Sequence, residues 1–319
     1  MTQRLPLREI RERTYKTRDA WWTVLLVDPL AVRLVRLIAP YRRITPNVLT
    51  GIATLIGLAS AACFAMQDRP WLVAGALLFH LSFVIDCMDG KIARLNGTGS
   101  LFGAWYDFVF DRLRMFACTV ALMGGQYART GKPVYLWILV AVTFLDLFRY
   151  LNGSQMAKVR RAMRVQLDEA RGLPQAVDAP GQPDQWPDNW RARLRAMLRR
   201  YRIRPHLVSG IEFEMAVCII APLTGWIVGV PIVAGVLLMG FEFLLVAKLW
   251  RATRKFPRQL AAAQRARGIR TTAPDVPVPP AAREGAAREG HVPTADEALQ
   301  AVDETAADEN DDLEFTARS

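Results

Sequence analysis

Between positions 86 and 111 the sequence reads DCMDGKIARLNGTGSLFGAWYDFVFD: four aspartates set in apolar surroundings, with FHLSFVI before them and LRMFACTVALM after. Asp86 and Asp89 stand at i and i+3, and Asp107 and Asp111 at i and i+4, spacings that put each pair on one face of a helix. The turn KIARLNGTGSLF makes those helices antiparallel neighbours, so all four carboxylates can converge on one small volume. An aspartate costs about 2.5–3.5 kcal/mol at the centre of a membrane helix, less near its ends, and four like charges also repel one another. Lys91, Arg94, Arg112 and Arg114 are few and partly directed to solvent, so hard divalent cations must supply the counter-charge. Mg2+ or Mn2+ prefers carboxylate oxygen, and this many carboxylates can hold two ions. Gly90, Ala93 and Gly103 leave room for a bulky ligand to reach the backbone. Two metals beside such a gap point to a phosphate-bearing ligand: they clamp a diphosphate and support in-line attack on phosphorus, with one carboxylate left to act as base.

The elements that position these residues are membrane helices. Apolar stretches of about 17 to 22 residues match the length a helix needs to cross the hydrocarbon core. Six spans are expected, at about 47–66, 71–89, 103–124, 134–151, 208–227 and 230–250, in an all-α integral membrane protein. The links QDRP and ARTGKP carry few charges. Residues 1–44, the KIAR turn at 91–94, the stretch 158–204 and RATRKFPR are rich in Lys and Arg. The positive-inside rule therefore puts both termini and the aspartates on the cytoplasmic side, as in a bacterial plasma membrane. The net charge of +11 clusters beside the apolar segments, which favours a lipid surface and not nucleic acid as the partner.

Three regions follow. Residues 1–44 are an arm whose segment WWTVLLVDPLAVRLVRLIAPYRR reads as an amphipathic helix lying in the interface. Residues 45–252 are the six-helix unit, including a cytoplasmic loop at about 158–206 with a mobile stretch (172–188) and a short basic helix, RARLRAMLRRYRIR. Residues 253–319 form a tail, Ala-, Arg- and Pro-rich and then acidic, expected to be disordered from about 256. Cys63, Cys87, Cys118 and Cys218 fit neither a disulfide framework nor a zinc site and read as packing thiols. No signal-peptide pattern follows the basic N-terminus, so secretion is not expected.

The string Asp86-x-x-Asp89-Gly90-x-x-Ala93-Arg94, eight residues, then Gly103-x-x-x-Asp107-x-x-x-Asp111, resembles the signature of the CDP-alcohol phosphotransferase family at every one of its eight fixed positions. The resemblance extends over roughly residues 15 to 250 and includes ITPNVLT at the mouth of the first span. It implies that Asp86, Asp89 and Asp107 are ligands of two metal ions. Asp111 would be a ligand of the second ion and the base that takes the proton from the acceptor hydroxyl. Gly90, Ala93, Arg94 and Gly103 would accommodate the cytidine nucleotide of a CDP-alcohol donor, bordered by Thr45, Pro46, Asn47 and Thr50. An alcohol attacks the phosphorus bearing the donor's alcohol group, and CMP leaves. The donor is expected to be CDP-diacylglycerol, the acceptor a small hydroxylated molecule or sugar phosphate, and the enzyme a homodimer in phospholipid biosynthesis. A soluble CDP-alcohol, with donor and acceptor roles exchanged, fits the same motif.

Several residues carry two readings. Asp146 and Arg149 either neutralise each other or leave Arg149 to bind an anionic acceptor. Arg112, directly after Asp111, is similar to the Asp-Arg pair of family branches that transfer to inositol phosphates. Those branches carry an acid four positions after the base, where this chain has Met115, which leaves the acceptor open. Arg202, Arg204, His206 and Ser209 either bind a phosphorylated acceptor or anchor to headgroups, with Glu212 and Glu214 as their ion-pair partners. His80 reads as packing. A divalent-cation transporter also needs intramembrane carboxylates, but its acids would continue across the bundle, and here they stop at one face.

Overall fold

The computed structural model describes residues 6–41, 44–173, 197–198, 200–204 and 208–267. Among them the backbone is helical, with one isolated parallel bridge between Asp19 and Ile203. A short helix α1 (Leu7–Thr14) precedes a π turn (Thr23–Val27) that runs into α2 (Asp28–Ile38). Then come α3 (Pro46–Met66), α4 (Arg69–Asn96) and α5 (Leu101–Thr119); α5 continues through a π turn (Val120–Gly124) into α6 (Gly125–Thr130). The long α7 (Val134–Arg171) follows. After it, α8 (Gly210–Met215), a π turn (Ala216–Ile220) and α9 (Ala221–Thr224) make a second interrupted helix before α10 (Gly229–Ala266).

Four helices are long and apolar enough to cross a membrane: α3, α4, α7 and α10. The expected third and fifth spans are helical but fall outside that group. Asp107, Asp111, Arg112 and Arg114 lower the apolarity of α5, and the stretch from α8 to α9 is short and cut by its π turn. The π turn at Val120–Gly124 has a visible cause. Gln67 closes α3 in a left-handed conformation (φ 62°), and its side-chain amide donates to Ala121 O and Leu122 O at 3.1 Å each. A side chain inserted into the carbonyl ladder is what loosens an α-helix locally.

Helix ends follow local chemistry. Thr45 caps α3 by accepting from Val48 N at 3.4 Å, with Pro46 at the first helical position, where no N–H is needed. Ser100 accepts from Gly103 N at 2.9 Å to start α5, and Gly97 (φ 64°) stops α4. The aspartate-bearing turn is consequently shorter than expected: KIAR lies inside α4, and only residues 97–100 turn the chain.

Helices α3 and α4 pack closely through small residues. Ser60 Oγ donates to Gly75 O and Ser82 Oγ to Ala53 O, both at 2.7 Å, satisfying buried hydroxyls across the interface. Helices α7 and α10 form the other extended pair, with Gly235 against Leu145. Both run beyond the expected spans, because AKVRRAMRVQLDEAR and LAAAQRA are built of strong helix formers. Residues 256–266, expected to be disordered, are therefore helical and even accommodate Pro257. The remainder of the tail, residues 174–196 of the loop and half of the expected basic helix lie outside the described residues. The helical backbone from Trp21 to Ile38 buries Asp28, Ala31, Val32 and Val35 and leaves Leu25, Leu26, Leu30 and Leu37 exposed.

Candidate active site

Asp86 and Asp89 are buried on α4 and face Asp107 on α5. One carboxylate oxygen from each lies within 4.8 Å of the other two. Asp107 Oδ1 is buried with no hydrogen-bond partner, while Asp89 accepts from the Thr50 hydroxyl of α3. Asp111 stands beside this trio and not within it. Arg114 Nη2 donates to Asp111 Oδ1, and Arg114 Nη1 reaches Asp86 Oδ1 at 3.3 Å and Ser82 Oγ at 3.1 Å. Arg114 threads inward because α3 carries Gly57 there: a Cβ at that position would lie 2.5 Å from Arg114 Cγ.

The expectation that the nearby cations point partly to solvent is corrected for three of them. Arg114 and Lys91 have side chains 3% and 5% exposed. Lys91 is consumed by Asp28 at 2.8 Å. Arg112 is consumed by Asp146, whose two oxygens accept at 2.6 and 2.7 Å, and by Glu214 at 3.0 Å. Only Arg94 is exposed, its Nε donating to Thr14 O at 2.8 Å. Four carboxylates thus face Arg114, with Arg112, committed to Asp146 and Glu214, reaching Asp111 Oδ2 only at 3.9 Å. An all-carboxylate donor set with an unpartnered buried oxygen suits a hard divalent cation, and the residues fit one.

The small residues border the same space. A Cβ on Gly103 would lie 3.0 Å from Asn47 Oδ1, so Asn47 of α3 sits directly against α5. The Arg94 guanidinium lies across Gly90, where a Cβ would meet Nη1 at 3.4 Å. Ala93 follows one turn on and is half-buried.

A separate polar cavity of about 330 Å³ opens where α7 meets the start of α8, lined by Arg149, Tyr150, Ser154, Arg204, Ser209 and Gly210. Two of the three expected acceptor residues, Arg149 and Arg204, are in its wall; Arg112 is not. Its guanidinium lies instead under that wall, 3.7 Å from the Tyr150 ring centroid and 3.9 Å from Asp111 Oδ2. Of the two readings of Asp146 and Arg149, mutual neutralisation is not the one formed, because Asp146 faces α5 while Arg149 faces α10. There Glu242, 1% exposed, meets Arg149 Nη1 at 3.0 Å and accepts from Asn152 Nδ2 at 2.7 Å. Glu212 closes a capping box with Ser209 instead of pairing with a cation. Glu214 accepts from Arg112 and from Tyr150 Oη at 2.8 Å. Arg202 and Arg204 pair with Asp28 and Asp19, and His206 lies outside the described residues. His80 stacks edge-on to Trp22, as packing requires, and all four cysteines are free.

Sequence reasoning set Arg114 aside as one of the cations partly directed to solvent and passed over Glu242. An acid inside the apolar run GVLLMGFEFLLVAKLW is a functional signal in its own right, and Arg114 sits three residues beyond Asp111 on its helix face.

A family model described as CDP-alcohol phosphatidyltransferase matches residues 43–167, a narrower stretch than the motif resemblance, reaching neither α1, α2 nor α8–α10. Among curated proteins, the archaetidylinositol phosphate synthase of Pyrococcus horikoshii is 41% identical over 118 residues, 37% of this chain and 54% of the relative. The CDP-diacylglycerol–glycerol-3-phosphate 3-phosphatidyltransferase of Cereibacter sphaeroides is 35% identical over 105 residues, 33% of this chain and 44% of the relative. The phosphatidylinositol phosphate synthase of Corynebacterium glutamicum is 32% identical over 89 residues, 28% of this chain and 37% of the relative. The matches span between 22% and 58% of the length of these and other curated relatives. Residues 43–167, which hold all four aspartates, are thus similar to the CDP-alcohol phosphatidyltransferase family.

Proposed function

We propose that this chain is a membrane enzyme that transfers a phosphatidyl group from CDP-diacylglycerol to a small phosphorylated alcohol, releasing CMP. The observation that carries the reading is the trio Asp86, Asp89 and Asp107 with the orphaned Asp107 Oδ1, next to an Asp111 held by Arg114. The first three, with Asp111 at their edge, would hold Mg2+ or Mn2+, two ions in the full complement. The bound cations would neutralise the donor's diphosphate and the charge that develops on it.

The chain's own residues do the rest. Thr50 orients Asp89, and Asn47, Gly90, Ala93, Arg94 and Gly103 border the nucleotide. Asp111 takes the proton from the acceptor hydroxyl as its oxygen bonds to the donor's lipid-bearing phosphorus and the bond from that phosphorus to CMP breaks. Arg114 keeps Asp111 aimed by donating to its Oδ1. The acceptor's phosphate rests between Arg149 and Arg204, cations suited to phosphate oxygens, in the cavity whose wall includes Tyr150, the ring that the Arg112 guanidinium stacks on. The printed names of the relatives lend support: two make inositol lipid phosphates, and one uses glycerol 3-phosphate with CDP-diacylglycerol. The helix from Trp21 to Ile38 lies in the interface on its exposed leucines, the site faces the cytoplasm of a bacterial cell, and two copies form the enzyme.

The test is CMP release by the purified protein from CDP-diacylglycerol with glycerol 3-phosphate, inositol 1-phosphate, serine or inositol. Faster release with a phosphorylated acceptor than with serine or inositol is the expected result. Turnover only of a soluble CDP-alcohol would exchange the roles of donor and acceptor. No CMP from any pairing, with cation flux in liposomes, would replace the enzyme by a transporter.

A further inference from the structure

Asp28 belongs neither to the carboxylate cluster nor to the polar cavity, yet it joins their supports. Its side chain, 4% exposed, meets Lys91 Nζ at 2.8 Å through Oδ1 and Arg202 Nη1 at 3.2 Å through Oδ2. Lys91 lies two residues beyond Asp89 on α4, and Arg202 lies two before Arg204. One buried carboxylate from the N-terminal region therefore holds a cation beside each half of the site.

The backbone around Arg202 shows how strongly this arrangement is specified. Arg202 has φ 61°, a left-handed conformation that glycine adopts freely and other residues seldom do. Its contacts hold it there. Nε donates to Lys16 O at 3.0 Å, the guanidinium lies 3.9 Å from the Tyr15 ring centroid, and its carbonyl accepts from Asp19 N at 2.8 Å. Arg204 N then donates to Asp19 O at 3.0 Å, completing the Asp19–Ile203 bridge, and Arg204 Nη2 lies 3.7 Å from Asp19 Oδ1. Residues 14–19 also reach α4, where Arg94 Nε donates to Thr14 O. A strained backbone persists only where its surroundings over-determine it, and these contacts do so.

We propose that Asp28 is a positioning residue: acting through Arg202 and Lys91, it fixes the segment 202–204, and with it Arg204 in the cavity wall, against the turn of α4 that bears Asp89. The inference rests on the transferase reading above, in which Arg204 meets the acceptor's phosphate. A carboxylate shared by two cations transmits the loss of either contact to the other, so the N-terminal clasp and the acceptor cavity move as one unit.

The test uses the full chain in nanodiscs, with two readouts on Asp28→Asn and on Arg202→Gln; the second alters a side chain a quarter exposed and serves if the first fails to fold. Amide hydrogen exchange at Asp19 and Arg204 should be protected in the wild type and fast in both variants. CMP-release kinetics should show the acceptor KM raised about tenfold and the CDP-diacylglycerol KM unchanged, a split that general destabilisation does not produce. Arg202→Lys, which keeps the charge but loses the guanidinium fork, should fall between. Unprotected amides in the wild type would overturn the clasp. Lost protection with both KM values unmoved would overturn its positioning role. No CMP from the wild type with any acceptor would instead defeat the transferase reading and the positioning role that depends on it, while the exchange data would still report on the clasp.

Discussion

Arg114 ties Asp86 on α4 to Asp111 on α5, donating from Nη1 to the first and from Nη2 to the second. Its side chain is 3% exposed, so the link is a buried one in which each partner depends on the other. Removing one member of such a set leaves an uncompensated charge and costs about 3–5 kcal/mol. Arg114→Gln should therefore lower thermal stability in detergent as well as CMP release. An unchanged melting temperature would contradict the buried arrangement.

Gly57 and Gly75 separate site from scaffold. A methyl at Gly57 would strike the Arg114 stem, whose head is tethered on both sides; one at Gly75 would meet Phe64 Cδ1 at 2.6 Å, within the α3–α4 packing. Gly57→Ala should reduce kcat about tenfold or more through displaced Arg114, as misplacement of a site group does. Gly75→Ala should lower stability while kcat per folded molecule stays near wild type. Equal kinetic effects from the two would deny Arg114 its special position.

Glu242 sets the rotamer of Arg149. With Glu242→Gln the 3.0 Å ion pair is lost and the Asn152 contact remains possible. Charge-assisted contacts are worth about 1.5–3 kcal/mol, so the acceptor KM should rise about tenfold or more with little change for the CDP-donor. A KM shift confined to the donor would remove Arg149 from the acceptor cavity.

Divalent cation should be required. Chelation should stop CMP release, and Mg2+ or Mn2+ should restore it; Asp107→Asn should need a higher cation concentration for half-maximal rate. Turnover that survives chelation would mean that the trio around Asp107 Oδ1 is not a metal centre.

Much of the site is legible in sequence because helical spacing is local. Two aspartate pairs on consecutive helices joined by a short turn should face one another; Asp86, Asp89 and Asp107 do, and Asp111 stands beside them. The counter-charges are not legible that way. Arg112 pairs with Asp146 and Glu214, and Lys91 with Asp28, partners far apart in the chain whose proximity depends on how the helices pack. The Asp146–Arg149 pair fails for the same reason: residues at i and i+3 share a face only broadly, and packing turned one toward α5 and the other toward α10. Apolarity placed four of the six expected spans on helices long and apolar enough to cross a membrane, and the third and fifth fall outside that group. Helix ends did not follow apolarity, since α7 and α10 continue on propensity after their apolar runs stop. The π turn beside Gln67 has no local sequence signal, because it is made by a side chain from another helix.

The most direct measurement is CMP release by Asp111→Asn, paired with binding of CDP-diacylglycerol to the same protein in Mg2+. Loss of a positioned general base costs about 10²–10⁴-fold in rate. CMP release should fall by at least that lower bound while donor binding is largely retained. Release near the wild-type rate would contradict Asp111 as the group that receives the acceptor's proton.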